Sequence, residues 1–212
     1  MKFIAAAALA APALVAALPA PGVIIPGVAA PEPSSVKIRA VTYGGTGCPQ
    51  GTVGSIISSD QSTMTLIFDS YVASIGKGVS VTDNRKNCQI NVDLTYPGGF
   101  QYSVFGADYR GYAALDAGIT GTLKSTYYFS GQTEQTYTQA DFKGPLNGDY
   151  LKHDEAEVVS VVWSPCGTEG MLNINSQVRL TSTNSAANGL LTTDSIDAKF
   201  TQKLYMQWQT CK

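Results

Sequence analysis

Apolar residues recur at every second position through most of this chain, and that period does more than any other feature to limit its fold. Met64, Leu66 and Phe68 alternate with Thr65 and Asp69. Cys88, Ile90, Val92, Leu94 and Tyr96 alternate with Gln89, Asn91, Asp93 and Thr95. Leu123, Ser125, Tyr127 and Phe129 share one face, as do Leu172, Ile174, Val178 and Leu180 opposite Asn173, Asn175, Gln177 and Arg179. Side chains on a strand point to opposite faces in turn, so each run reads as a strand with one dry and one wet side. The longest run lies between Asp194 and Cys211. It sets Ile196, Ala198, Phe200, Leu204, Met206 and Trp208 on the inner face, interrupted there by Gln202. Val158 to Trp163 is apolar on both faces apart from Ser160, the pattern of a central strand.

Turn residues separate the runs: Gly76-Lys77-Gly78, Pro97-Gly98-Gly99, Gly144-Pro145, Asn147-Gly148 and Asn188-Gly189. No stretch carries a helical period. Many short strands joined by such turns predict an all-β chain, an antiparallel β-sandwich or jelly roll, as one domain over residues 36–212.

The first part of the chain does not share this pattern. Lys2 is the only charged residue before Glu32, and Phe3 to Leu18 is an Ala/Leu-rich run broken only by Pro12. A basic start, a short apolar core and small residues at its end predict a signal peptide over residues 1–17, cut after Ala17. The run is too short for a membrane span, which takes about 20 apolar residues. Residues 18–35 hold Pro19, Pro21, Pro26, Pro31 and Pro33 and read as an extended tether.

Cys48, Cys88, Cys166 and Cys211 form an even set in an exported chain, which predicts two disulfides. Of the three pairings, Cys48–Cys88 and Cys166–Cys211 keep each loop within its own half. Closing loops of that size is worth about 4 kcal/mol each on chain entropy. Zinc is disfavoured because no C-x-x-C pair exists and the chain has a single histidine, His153.

Residues able to carry chemistry are few. The chain has 14 Lys+Arg and 16 Asp+Glu, a net charge of −2, with no basic run suited to nucleic acid. Asn84-Arg85-Lys86-Asn87 is a short basic turn. His153-Asp154-Glu155 reads either as a base oriented by a carboxylate or as a solvated loop. Asp108, Asp154, Glu155, Glu157, Asp194 and Asp197 offer carboxylates of the kind glycoside hydrolysis pairs across a cleft, without a signature. Asp194 and Asp197 would also suit calcium, though no calcium-loop spacing surrounds them. No cofactor or metal is expected. Tyrosine is the one enrichment. Tyr96, Tyr102, Tyr109, Tyr112, Tyr127 and Tyr128 lie close together, and Tyr102, Tyr109, Tyr112 and Tyr128 are the candidate ligand surface, although tyrosine is also a favoured strand residue.

Several short words occur in a fixed order: Gly47-Cys48-Pro49, Asn84-Arg85-Lys86-Asn87-Cys88-Gln89, Tyr96-Pro97-Gly98-Gly99-Phe100, Asp108-Tyr109-Arg110-Gly111-Tyr112, Tyr127-Tyr128-Phe129-Ser130-Gly131, Trp163-Ser164-Pro165-Cys166-Gly167 and Leu172-Asn173-Ile174-Asn175. With them the chain resembles the fungal secreted-protein family called domain of unknown function 4360, over roughly residues 40–211. The resemblance implies export and a compact, cysteine-stapled domain. It brings no catalytic residue. The expectation is a secreted monomer that binds without catalysis, its partner a cell-wall glycan or an extracellular protein. The alternative is a carbohydrate-active hydrolase using paired carboxylates.

Overall fold

A computed structural model describes residues 30–157, 160–167, 169–191 and 200–211. Among the described residues, twelve strands pack as two antiparallel sheets, the sandwich that the alternation predicts. They are β1 (Lys37–Gly44), β2 (Val53–Ile57), β3 (Thr63–Phe68), β4 (Ala73–Ile75), β5 (Arg85–Thr95) and β6 (Phe100–Leu115), followed by β7 (Ile119–Phe129), β8 (Gln135–Lys143), β9 (Leu146–Glu155), β10 (Glu169–Ser182), β11 (Gly189–Leu191) and β12 (Phe200–Thr210). One sheet has five strands in the order β1-β5-β10-β7-β8. The other has seven, in the order β2-β3-β12-β6-β11-β4, with β9 paired to β6. The predicted signal peptide, residues 1–17, lies outside the described residues. The end of the proline-rich segment is described: Pro33–Ser35 forms a single 3₁₀ turn, and Gln61 Nε2 donates to the Glu32 carbonyl at 3.4 Å.

The dry faces meet between the sheets. Ile90 and Val92 of β5 stand opposite Ile174 and Leu172 of β10, and Leu123, Tyr127 and Phe129 of β7 continue the layer. From the facing sheet come Met64, Leu66 and Phe68 of β3 and Phe200, Leu204, Met206 and Trp208 of β12. Both disulfides pair as expected: Cys48–Cys88, with a separation of 40 residues, and Cys166–Cys211, with 45.

Two local readings are corrected and a third is described only in part. The described part of Val158–Trp163 contains no strand. Ser164, just beyond it, instead anchors the segment: its hydroxyl accepts from the Tyr102 amide at 3.0 Å and from the Tyr96 hydroxyl at 3.0 Å. Asn147-Gly148 is not a turn but part of β9, registered against Ala114 and Ala113 of β6, and Gly144-Pro145 joins β8 to β9. The run from Asp194 is described from Phe200 onward, so Ile196 and Ala198 lie outside the described residues.

A bulge in β6 sets which tyrosines face outward. On the β12 side of β6, Gly106 pairs with Tyr205 and Val104 with Met206, leaving Phe105 as a bulge. An extra residue shifts the alternation by one. Before the bulge the inward positions are even, Tyr102 and Val104; after it they are odd, Ala107, Tyr109, Ala113 and Leu115. Tyr102 and Tyr109 therefore share the core, and Tyr112 faces out.

Candidate functional site

Of the four candidate ligand-surface tyrosines, Tyr102 and Tyr109 are 0% exposed and present no ring to a ligand. Their hydroxyls are satisfied inside: Tyr102 donates to the Gly170 carbonyl at 3.2 Å and Tyr109 bonds the Thr138 hydroxyl at 2.6 Å. Tyr96 and Tyr127 are equally internal, which is where most of the tyrosine enrichment goes. Tyr112 lies on the outer side of the seven-stranded sheet, where its hydroxyl donates to Asn147 Oδ1 at 2.5 Å beside an open cleft of 590 Å³. Tyr128 lies on the outer side of the five-stranded sheet. The two outward tyrosines thus stand on opposite faces of the sandwich and form no common surface.

The face around Tyr128 is a polar surface continuous across the sheet. Register fixes two rows across all five strands. The first runs Thr42, Asn91, Asn173, Tyr128, Gln135, and the second Gly44, Gln89, Asn175, Thr126, Tyr137. Neither row contains Lys, Arg, Asp or Glu. Tyr137 is 52% exposed and is a diagonal neighbour of Tyr128 on the adjacent strand, a relation that sets Cβ atoms about 7–8 Å apart or somewhat less. The Lys124 ammonium caps one side of the Tyr137 ring at 3.8 Å from its centroid.

The amides are bonded in one direction. Asn175 Nδ2 donates to Gln89 Oε1 at 3.1 Å, Gln89 Nε2 to Asn91 Oδ1 at 3.3 Å, and Asn91 Nδ2 to Thr42 Oγ1 at 3.4 Å. A carboxamide carries two N–H donors, so each of these three spends one within the chain and keeps one for a ligand. Asn173 is drawn inward and donates to Ser130 Oγ at 3.0 Å, pinning the end of β7. The sequence shows these residues only as wet positions. Tyr137, missed there, is identified by its register partner Thr126 on β7.

The candidate acid–base residues gather on the other sheet. His153 lies in β9, not in a loop, opposite Asp108 of β6 and next in that row to Lys203 of β12. His153 Nδ1 meets Asp108 Oδ1 at 2.6 Å and its Nε2 meets Glu155 Oε1 at 3.3 Å. Tyr205 donates to Asp108 Oδ2 at 2.6 Å and sets its ring edge-on to the imidazole. The bond to Asp108, with a smaller contribution from Glu155, holds the imidazole above its usual range. Burial pushes the Asp108 carboxyl up, but the bonds from Tyr205 and His153 outweigh it and hold it below. The same Asp108 bond pushes the Tyr205 hydroxyl up to about 12. Both imidazole nitrogens face carboxylates, which suits a fixed imidazolium rather than a base with a free nitrogen. Asp154 is engaged elsewhere, accepting from the Gln139 amide at 2.7 Å. Asp194 and Asp197, the candidate calcium ligands, lie outside the described residues. Among the described residues no three His, Cys, Asp or Glu side chains are placed to hold a metal ion.

The model of the family described as domain of unknown function (DUF4360) matches residues 34–211. An uncharacterized secreted protein of Arthroderma benhamiae is 62% identical over 182 residues, 86% of this chain and 74% of that protein. Among solved structures, TmCBM61 in complex with β-1,4-galactotriose aligns over 85% of this chain and 95% of its own, at 10% identity and a TM-score of 0.29, too slight a likeness for any inference. With its disulfides closed, the protein is, like the Arthroderma relative, a secreted one. Among the described residues no helix is long and apolar enough to cross a membrane.

Proposed function

This chain belongs to the family described as domain of unknown function DUF4360, and from that premise we propose that it is a secreted binding protein whose ligand is an extracellular glycan. The site is the outer face of the five-stranded sheet. The observation that carries the reading is the directed chain from Asn175 through Gln89 and Asn91 to Thr42, running beside the exposed ring of Tyr137.

Sugars present hydroxyls that both donate and accept, together with apolar ring faces. A surface that recognises them needs amides for the first and aromatic rings for the second. Thr42, Asn91, Gln89 and Asn175 supply the amides and a hydroxyl, already oriented by one another, so that little ordering is left to the moment of binding. Tyr128 and Tyr137 supply the rings. The strands hold all of these at fixed spacing, so the face needs no loop rearrangement to form.

Retention on isolated cell walls and on a glycan array tests the reading. The secreted protein is expected to bind at least one glycan class, and Tyr128→Ala/Tyr137→Ala is expected to release it without loss of melting temperature. A protein that no wall or arrayed glycan retains would refute glycan binding.

A further inference from the structure

We infer that the ligand of this face is an uncharged, extended polysaccharide that lies across the strands rather than along them; the inference rests on the glycan reading above and narrows it.

Charge is the first argument. The two central rows bear no ionisable carboxylate, ammonium or guanidinium across five strands. Charged side chains begin only at the margins. On one side Asp93 is paired with Arg39 at 2.9 Å. On the other, Lys124 rests on Tyr137, and Arg85 donates to Gln177 Oε1 at 3.1 Å. A polyuronate laid on the rows would meet one cation, Lys124 against Tyr137, and a polyglucosamine would meet carboxylates only at the β8 end, where Gln135 and Tyr137 share a cleft with Asp141, Asp154, Glu155 and Glu157. Over the other four strands either would give up hydration of its charges without a partner, which is costly. A neutral chain gives up only hydroxyl hydration, and the amides return it.

Direction is the second argument. The bonded chain Asn175–Gln89–Asn91–Thr42 crosses from β10 through β5 to β1, and the tyrosines extend the same rows onto β7 and β8. Strands lie about 4.8 Å apart, so a ligand running across them meets a new polar group or ring at each step. Five strands make four such steps, about 19 Å, which only an oligomer fills. Along a strand the face changes quickly instead: two residues beyond Asn175 and Thr126 the next row already contains Lys124.

Affinity electrophoresis of the secreted full chain separates the possibilities. The gels contain soluble β-1,3-glucan, β-1,4-mannan, polygalacturonate or chitosan. Retardation is expected in at least one neutral polymer, unchanged by added salt because no ion pair is formed. Tyr137→Ala and Asn175→Ala are each expected to weaken it about tenfold or more, and His153→Gln on the opposite face to leave it unchanged. Retardation confined to polygalacturonate or chitosan and abolished by salt overturns the uncharged ligand but leaves glycan binding standing. Neutral-polymer binding that survives both Tyr137→Ala and Asn175→Ala overturns the assignment to this face. No retardation in any of the four polymers overturns the inference and, if the cell-wall and array tests are also blank, the glycan reading with it.

Discussion

Tyr109 of β6 and Tyr127 of β7 share one partner, the Thr138 hydroxyl, at 2.6 and 2.8 Å, and so join the two sheets across the core. Gln202 of β12 completes the group by donating to the Tyr127 hydroxyl at 2.9 Å. The amide that interrupts the inward face of the last strand therefore has its partner on the opposite sheet. Burial raises the pKa of both tyrosine hydroxyls, which keeps them neutral. Thr138→Val preserves the shape and removes the shared oxygen. It is expected to cost about 1–3 kcal/mol, because the buried Tyr109 and Tyr127 hydroxyls lose the oxygen they share. Urea denaturation measures this, and an unchanged midpoint would show that the network adds nothing to stability.

The Phe105 bulge leads to a comparison of two variants. Phe105→Ala keeps the residue count and should still fold. Deleting Phe105 removes the shift of alternation, turning either Tyr102 and Val104 or Tyr109, Ala113 and Leu115 to solvent. The deletion is expected to abolish secretion of folded protein. Equal yield and melting temperature for the two variants would mean that the bulge does not set the faces.

Trp208 is 3% exposed, meets the Tyr96 ring edge-on and the Tyr102 ring at a tilt, and its indole N–H donates to the Gln61 carbonyl at 3.2 Å. Three residues later, Cys211 ties the end of the strand to Cys166. Trp208→Ala is expected to destabilise by about 3–5 kcal/mol, the range for large aromatic truncations in a core. Chemical denaturation with the disulfides intact reads the effect. A loss below 1 kcal/mol would place the ring outside the core.

The Asp108–His153 pair gives a pH dependence whose sign follows from the two shifts. His153 is raised, so its contribution is full below about pH 6.5, its unfolded value, and is lost as pH rises through the higher folded value. Asp108 is lowered, so its contribution is full above about pH 3.9 and is lost as pH falls through the lower folded value. Both are present in full only between those limits. The stability difference between wild type and His153→Gln is expected to be widest there and to shrink on either side. Melting curves from pH 3 to 9 measure it, and a difference that stays flat would refute the coupling.

The class of fold is legible in the sequence because strand alternation is local: each residue in β5, β7 and β10 declares its face through its neighbours two positions away. The sequence also favoured the cysteine pairing that the structure shows, since each half of the chain contains one pair. Which tyrosines reach solvent was decided by tertiary structure. Counting by twos from Tyr102 puts Tyr112 on its side and Tyr109 on the other, and the bulge at Phe105, visible only once β12 lies beside β6, reverses that. The amide row was hidden for the same reason. Thr42, Gln89, Asn91 and Asn175 come from three separated segments, and each alone is an ordinary wet position. Register between strands distant in sequence makes them neighbours, and register is set by how the apolar faces pack across the sandwich, not by any local pattern.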